Sequence, residues 1–442
     1  MSRLTALLLL ALLGGSATPP AARAWQTVLP ETDEGGAEQV VFDGARNVIA
    51  AGASRVSGDD QLLTVAKFSR RGELRWVTGV RPQASRLRAL AVDAADDVFV
   101  AGAVGGEDED TLGRFVVVKL DGSTGEERWR YESIEGGFAR GLGVDPAGNV
   151  VAAGHVIRPC DCNGGCAECA IGVTVKLAGD SGTEIWRHEV DRFPLPTPLP
   201  AALALRADGD VVEVSDAGLR RLAGSTGAVL WDAPVAWAPG SGDFDIEIDP
   251  AGDAVAASGR LLVKISDRVG APAWQQTVVG LEGFFGRIDD LATDSAGDVL
   301  VAAHGAGAGF DTDFVAVKLG GATGEELWRH VVEGPDASGA NAIAADRAGD
   351  VVVTGTALEG GTFLRSWVVK LAGVTGGPRW ERRLEGLGCG ATLGGLALDR
   401  AGRVAVAAAL CIEREPFLSE FHFAVARLSR GTGLGLRPIR LR

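Results

Sequence analysis

Four of the six cysteines lie close together, in the stretch CDCNGGCAEC. Thiolates spaced as C-x-C-x3-C-x2-C are able to hold zinc or an iron–sulfur cluster. In an exported chain the same residues are expected to form two local disulfides, whose pairing the sequence does not determine. We therefore expect two disulfides among Cys160, Cys162, Cys166 and Cys169, with a metal site as the alternative.

The other two cysteines, Cys389 and Cys411, are equidistant from residue 400, inside the tetrad DRAG. Residues at equal distances from a hairpin turn face each other across the strand pair. Facing cysteines have the separation that a disulfide requires. We predict a cross-strand disulfide between them.

The expectation of export comes from the first 24 residues. Arg3 is followed by an apolar run from Leu4 to Leu13 and then by small residues, with Ala22 and Ala24 forming an A-x-A-like cleavage site. The apolar run is too short for a membrane-spanning helix, and no Cys follows it that would accept a lipid. Residues 1–24 are thus predicted to be a signal peptide, and the protein is predicted to be periplasmic or secreted.

Net charge narrows the choice of partners. The chain has 43 basic and 58 acidic residues, a formal charge of −15. Nucleic acids and anionic membranes require a basic footprint, which this composition does not provide. We expect a protein, glycan or envelope component as the partner.

Grouped carboxylates and histidines are the other candidates for chemistry. Carboxylates in loops can bind Ca²⁺, but no stretch has EF-hand spacing, and a solvated acidic rim is the expected alternative. His155 and His304 share one repeat position, whereas His188 and His330 each follow a Trp by two residues. No motif places a Ser or Cys nucleophile near a His, so we interpret the histidines as surface or packing residues and expect no catalytic residue. The grouped acidic residues are Asp59, Asp60, Glu107, Asp108, Glu109, Asp110, Asp311 and Asp313.

All six lysines occur at one position of a repeated phrase, of which VVVKL is an example. Lysine carries a compact ammonium group on a flexible stem, unlike arginine. One strand is expected to lie between the lysine position and a repeated Asp, which places their backbones about 10 Å apart. We predict a contact between them within each repeat, and a ring of functional cations is the alternative. The predicted pairs are Asp93 with Lys119, Asp145 with Lys176, Asp294 with Lys318, and Asp346 with Lys370; Lys67 and Lys264 are the other lysines, and Arg221 and Arg427 fill the remaining copies.

These residues belong to a sequence repeat with eight copies. In each copy a short apolar run ends at an Asp, the tetrad D-x-x-G turns the chain, and a Val/Ala-rich run returns. A third run ends at a Thr-Gly turn and a fourth begins at a Trp. Four antiparallel strands repeated eight times predict an all-β fold, an eight-bladed β-propeller in residues 25–442. The expected repeats cover about 39–80, 88–132, 140–190, 201–235, 244–278, 288–333, 341–384 and 394–437.

The Trp phrase, as in "STGEERW", resembles the tryptophan-docking motif of the quinoprotein-like (PQQ-like) propellers, and the Asp phrase resembles bacterial secreted propeller repeats. The resemblance implies that each Trp packs on the Gly turn of the neighbouring blade and bonds a carbonyl there. The eighth copy lacks a Trp, so we expect residues 25–30, with Trp25, to complete the last blade. The docking residues are Trp25, Trp76, Trp129, Trp186, Trp231, Trp274, Trp328 and Trp380.

The predicted blades leave one rim free for function. The Asp and Thr-Gly turns share one rim, the Asp rim, and hardly vary in length. The connections between second and third strands and between blades share the other, the variable rim, and function concentrates on such loops. We expect a non-enzymatic exported scaffold that binds a partner there. The alternative is a dehydrogenase dependent on pyrroloquinoline quinone (PQQ) and Ca²⁺, but the adjacent Cys pair of those enzymes is missing; a lyase or hydrolase has no residue signature.

Overall fold

The computed structural model contains only β-strands and their connections in the residues that it describes. No helix long and apolar enough to cross a membrane occurs in that part of the chain. The signal peptide expected at residues 1–24 lies outside it, apart from Ala24. The described residues are 24–29, 32–56, 61–80, 86–105, 113–159, 168–190, 202–237, 244–282, 286–306, 312–332, 338–359, 363–384, 388–415 and 418–429.

The described residues form 31 strands. The first sixteen are β1 (Trp25–Val28), β2 (Thr32–Phe42), β3 (Val48–Val56), β4 (Gln61–Phe68), β5 (Leu74–Val80), β6 (Arg86–Val92), β7 (Val98–Val104), β8 (Arg114–Leu120), β9 (Glu127–Val144), β10 (Val150–Pro159), β11 (Glu168–Leu177), β12 (Glu184–Val190), β13 (Ala202–Leu205), β14 (Val211–Ser215), β15 (Gly218–Leu222) and β16 (Val229–Pro234). The others are β17 (Phe244–Ile248), β18 (Ala254–Ser258), β19 (Leu261–Ser266), β20 (Ala271–Thr277), β21 (Arg287–Thr293), β22 (Val299–Ala306), β23 (Thr312–Leu319), β24 (Glu326–Val332), β25 (Ser338–Ala345), β26 (Val351–Glu359), β27 (Phe363–Leu371), β28 (Pro378–Leu384), β29 (Gly388–Leu398), β30 (Val404–Glu415) and β31 (Leu418–Leu428).

Antiparallel pairing of consecutive strands builds every sheet. Four sheets have four strands each: β2–β5, β13–β16, β17–β20 and β21–β24. A seven-stranded sheet runs from β6 to β12, because the 18-residue β9 pairs with β8 through its first half and with β10 through its second. In the eight-stranded sheet, β25–β28 join β29–β31 through one parallel bridge, Leu364 to Gly390, and β1 pairs with β31.

The D-x-x-G tetrads form the turns that connect first and second strands. In the tetrad at residues 145–148, the carboxylate Oδ1 of Asp145 accepts hydrogen bonds from the amides of Ala147 (2.9 Å) and Asn149 (2.8 Å). Gly148 has φ 84°, a conformation that glycine adopts without a steric penalty. The turn is therefore specified by its own residues, which explains why the hairpins were predictable.

Apolar side chains of facing sheets form the core. Ile49 and Leu63 of one sheet pack with Val98 and Val116 of the next, and similar clusters lie between the later sheets. First strands also contact one another in chain order: β2 with β6, β6 with β9, β9 with β13, β13 with β17, β17 with β21, β21 with β25, β25 with β29 and β29 with β2. Sheets packed face to face with their first strands adjoining form a β-propeller, which confirms the predicted all-β class.

Candidate functional site

The repeated lysines link neighbouring sheets. Lys176 Nζ lies 2.6 Å from the carboxylate of Asp145 in its own sheet and donates a 2.7 Å hydrogen bond to the Gly224 carbonyl in the neighbouring one. The corresponding Nζ–Oδ2 distances are 3.2 Å for Lys119 with Asp93, 2.7 Å for Lys318 with Asp294, 2.7 Å for Lys370 with Asp346, 2.8 Å for Lys67 with Asp43 and 2.6 Å for Lys264 with Asp249. These lysines are buried and occupied by structural contacts, so they are not free to bind a substrate.

The repeated tryptophans reach the same carbonyl groups. Trp186 Nε1 donates to the Gly224 carbonyl at 3.0 Å, and Trp129 Nε1 donates to that of Gly179 at 3.1 Å. The ring lies against the Gly of the next Thr-Gly or Ser-Gly turn: a Cβ added to Gly182 would stand 2.6 Å from Trp129. Trp76, Trp274 and Trp328 make the same bond to Gly122, Gly321 and Gly373 at 3.2, 3.0 and 2.9 Å.

Three tryptophans differ from this pattern. Trp231 packs on Gly270, but its buried Nε1 has no hydrogen-bond partner. Trp25 packs on Gly72 and donates to the Arg70 carbonyl at 3.3 Å, a carbonyl that Arg427 also reaches at 2.6 Å. Trp380 is buried, and the turn on which it was expected to dock lies outside the described residues.

The sheet β13–β16 replaces the lysine and its Asp by two arginines. Arg221, at the lysine position, bonds Asp210 at 2.6 Å and also contacts Asp267 of the next sheet. Arg206, at the Asp position, lies 2.9 Å from the same Asp267. The substitution therefore keeps a charged link between neighbouring sheets with different partners.

Most of the loops predicted to carry function lie outside the described residues. This holds for Cys160, Cys162 and Cys166 and for the acidic residues Asp59, Asp60, Glu107–Asp110 and Asp311. Gly388 pairs with Ile412 and Ala391 with Leu410, so the register shifts beside Cys411, and Cys411 is buried. Within the described part of the chain, no group of three or more His, Cys, Asp or Glu side chains could hold a metal ion.

The first strands carry a second set of polar residues, which do not follow the repeat. In five of the first strands, the pairing with the second strand shifts register at one equivalent place, five residues before the turn Asp. Such a bulge leaves one residue out of the ladder and redirects its side chain, and bulges are frequent next to active sites. We call these residues the bulge set; they are Glu38, Arg88, Arg140, Asp289 and Asn341.

Basic and aromatic side chains meet where β6 adjoins β9. The Arg88 guanidinium lies 5.1 Å from the centre of the Phe138 ring, and that of Arg140 lies 5.8 Å from it. Phe138 in turn stacks on His155, with 6.4 Å between centroids and 14° between planes. Burial, assisted by the Arg140 charge, lowers the pKa of His155 to about 4, so this imidazole is neutral at pH 7.

Carboxylates occupy the first strands β17 and β21. Asp245 accepts a hydrogen bond from the Leu291 amide at 2.8 Å, and Asp290 accepts one from the Ile343 amide at 2.7 Å. Each carboxylate thus reaches the backbone of the next first strand. Protein surrounds most of the carboxyl groups of Asp245, Asp290 and Glu247, a third acidic residue in these strands, although each residue keeps some exposure. Burial raises the pKa of Asp245 and of Asp290, and it raises the pKa of Glu247 to about 8.

The two histidines at one repeat position have different surroundings. His304 Nδ1 makes a short contact with the carboxylate of Asp289, which also accepts a 2.9 Å bond from Arg287 Nε. His155 has no such carboxylate, and its buried Nδ1 lacks a hydrogen-bond partner. His188 Nε2 lies 3.3 Å from Arg220 Nη1, and the pKa of His330 is lowered by burial.

The bulge set was not predicted from the sequence, although the sequence contains a signal for it. If the eight Asp phrases are aligned, the position five residues before Asp holds a charged or amide side chain in five copies and Ala201, Phe244 or Gly394 in the others. The position is identifiable from the sequence alone because its residue differs among the copies while the flanking apolar residues and the Asp recur.

Comparison with known proteins gives one family match. The family model described as outer membrane protein assembly factor BamB matches residues 59–279. None of the curated proteins compared with the chain matches it.

Several solved structures share the fold. BamB from Moraxella catarrhalis is 16% identical with a TM-score of 0.51, and the alignment covers 90% of this chain and 98% of that one. Quinohemoprotein alcohol dehydrogenase from Comamonas testosteroni is 12% identical with a TM-score of 0.58, covering 95% of this chain and 79% of that one. The Dos1 propeller is 11% identical with a TM-score of 0.56, covering 93% and 96%. At these identities the similarity shows the fold alone.

Proposed function

The chain belongs to the family described as outer membrane protein assembly factor BamB, and we propose that it is an exported, non-enzymatic scaffold that binds a protein of the cell envelope. The proposed binding surface is the variable rim. Family membership points to an assembly role in the envelope, and the charge of −15 argues against nucleic acid as the partner.

One observation carries this proposal. The polar side chains that recur in most repeats, Lys and Asp, are used in contacts within and between sheets, as in Lys176 with Asp145 and Gly224. The polar residues that do not recur are in the bulge set and in the variable loops. The repeated residues thus form a uniform structural frame, and the residues that differ between repeats form the distinctive surface. This arrangement suits recognition of a partner better than catalysis.

We infer that the frame is a closed ring of eight blades. Three features support this count: β9 is shared by two sets of four strands, the eight-stranded sheet divides at its single parallel bridge, and β1 supplies a fourth strand beside β31. The contact of β29 with β2 supports closure. In this account residues 25–442 form one domain, and its blades correspond to the eight sequence repeats.

We further propose that residues 1–24 direct export, which places the protein in the periplasm or outside the cell. Export makes disulfides at the six cysteines the expected state. Cys411 has no free thiol, which supports a bridge between Cys389 and Cys411. That bridge would pin the sheet at which the ring closes.

A PQQ-dependent dehydrogenase is the alternative that the shared fold raises. The residues do not fit that cofactor: the sequence has no adjacent cysteines, and the described residues offer no metal-binding group. Tight binding of PQQ by the purified protein, with dye-linked oxidation of an alcohol or sugar, would contradict the scaffold proposal.

Photo-crosslinking from two positions, one at each end of strand β8, tests the proposal. Arg114 begins β8 at the variable rim, and Ser123 is exposed in the turn at its other end, on the Asp rim. A crosslinker at residue 114 should capture an outer-membrane or periplasmic protein from cells that express the chain, whereas the matched variant at residue 123 should not. Equal capture from both positions, or none from residue 114 and from other variable-rim positions, would contradict the proposal.

A further inference from the structure

We propose that Arg88, Phe138 and Arg140 form a binding site for a carboxylate group where β6 adjoins β9. This inference deepens the proposed function and rests on it, since it assigns a ligand chemistry to one part of the surface used for binding. The site is built by two neighbouring first strands, so it exists only in the folded propeller.

The two guanidinium groups share one aromatic ring. The Cζ atoms of Arg88 and Arg140 lie 5.1 and 5.8 Å from the ring centre of Phe138. Both arginines are at bulges, both are exposed, and Phe138 is half-buried between them. Among the described residues, the guanidinium of Arg88 donates no hydrogen bond, so its N–H groups are available to a ligand.

An unsatisfied buried group lies behind the ring. His155 is 9% exposed and stacks on Phe138, and its Nδ1 has no hydrogen-bond partner. Most buried polar atoms in proteins are hydrogen-bonded. An orphaned nitrogen behind the ring that both arginines contact is therefore a feature that a structural role alone does not explain.

Comparison of the repeats argues against a purely structural role for these side chains. The positions equivalent to Arg88 hold Phe244 and Gly394 in two other copies, and the position equivalent to Phe138 holds Gly36 and Gly339. Those copies form the same sheets without the charge or the ring. The fold consequently does not require either residue at its position.

The chemistry of the site favours a carboxylate. Guanidinium groups bind carboxylates through paired N–H···O bonds in one plane. A doubly charged phosphate suits the site less well, because Glu38 is close enough to Arg88 to interact with it electrostatically and the whole chain is acidic. A free small acid and an acidic side chain of a peptide present the same group.

Calorimetric titration with defined probes tests the site and separates the two sources. The probes are glutarate, a capped peptide containing three Glu residues and the same peptide with Gln instead. Saturable binding is expected for the Glu peptide and not for the Gln peptide. If glutarate binds as tightly as the Glu peptide, the source is a free acid; if only the peptide binds, the source is a protein segment.

Substitutions locate the binding. Arg88→Gln and Arg140→Gln should each weaken binding about tenfold, the usual effect of one charge-assisted hydrogen bond. Arg71→Gln removes an exposed arginine on the Asp rim and should change nothing. Thermal unfolding checks that each variant is folded, and the His155 ring resonances in NMR spectra should move on binding to the wild type.

Several outcomes would overturn the inference. They are the absence of saturable binding by every probe, equal binding of the Glu and Gln peptides, or equal effects of Arg71→Gln and Arg88→Gln. Loss of carboxylate binding with intact crosslinking from residue 114 would remove this inference and leave the proposed function. Intact carboxylate binding without crosslinking would remove the proposed function and leave the carboxylate site.

Discussion

At the residue scale, charges in this protein fall into two kinds. Lys370 and Asp346 are 3% and 5% exposed and pair at 2.7 Å. Asp290 and Glu247 are enclosed without a cation, and burial raises the pKa of each carboxyl group. The first kind is specified by the repeat, and the second is particular to the strands β17 and β21.

The buried pair can be tested by breaking it from one side. Lys370→Met should lower the free energy of unfolding by about 3 kcal/mol, because it leaves the buried carboxylate of Asp346 without a cation. Adding Asp346→Asn should restore part of the loss. Urea denaturation of wild type, single and double variants measures this, and a single variant as stable as the wild type would show that the pair is unimportant.

The enclosed carboxyl of Glu247 predicts a pH dependence. Because its pKa in the folded state is about 8 and thus above the ordinary value, the folded protein retains a proton that the unfolded chain releases. The contribution of the protonated Glu247 to the free energy of unfolding is complete below the pKa that the group has in the unfolded chain, near 4.5. This contribution is lost as the pH rises through 8.

Glu247→Gln should therefore flatten the fall of stability between those pH values. One proton changes the slope by at most about 1.4 kcal/mol per pH unit. Denaturation curves from pH 5 to pH 9 provide the comparison. Identical slopes in wild type and variant would contradict the assignment.

At the element scale, docking of the fourth strand depends on the indole and its hydrogen bond. Trp186 Nε1 bonds the Gly224 carbonyl, whereas the buried Nε1 of Trp231 has no partner. The two residues occupy equivalent positions, so they form a matched pair in which the ring contact is kept and the hydrogen bond is not.

Replacing each indole by phenyl separates the two contributions. Trp186→Phe should cost about 1 kcal/mol more than Trp231→Phe, because only the former loses a hydrogen bond. The measurement is the difference between their free energies of unfolding. A larger loss for Trp231→Phe would show that the carbonyl bond contributes little to docking.

The disulfide proposed in β29 and β30 gives a prediction for the last sheet. Cys411→Ser with Cys389→Ser should lower stability by about 2–4 kcal/mol under oxidising conditions. Under reducing conditions wild type and double variant should converge. A difference that persists after reduction would indicate lost packing at Cys411, which is 1% exposed, and not a lost bridge.

The elements that could be predicted from sequence are those with local causes. The tetrad at Asp145–Gly148 contains its own hydrogen-bond acceptor and its own glycine, so these four residues are enough to predict the hairpin. The bulge at Arg88 has no such local signal, because it depends on how twisted first strands fit against one another. The same holds for the meeting of Arg88 with Phe138, which are far apart in sequence and close only in the folded sheet pair.

At the scale of the whole molecule, strand boundaries also escaped prediction for a tertiary reason. The first strand of the first sheet begins at Thr32 and not near residue 39, and β9 continues without a break from Glu127 to Val144. Both stretches contain Gly-Gly, at residues 35–36 and 136–137, a dipeptide typical of turns. Pairing with neighbouring strands nevertheless keeps them extended. The repeat fixes the spacing of the sheets, while their packing decides how far each strand extends.

Closure of the ring is the central claim, because the assignment of a free variable rim depends on it. Thr27 pairs with Val425 in the strands β1 and β31. Thr27→Cys with Val425→Cys should form a disulfide on mild oxidation, recovered by mass spectrometry as one linked peptide, whereas Thr27→Cys with Val368→Cys should not. A closed ring should give the 27–425 link and a higher melting temperature. Absence of that link, or equal linking to residue 368, would contradict a ring closed by the N-terminal strand.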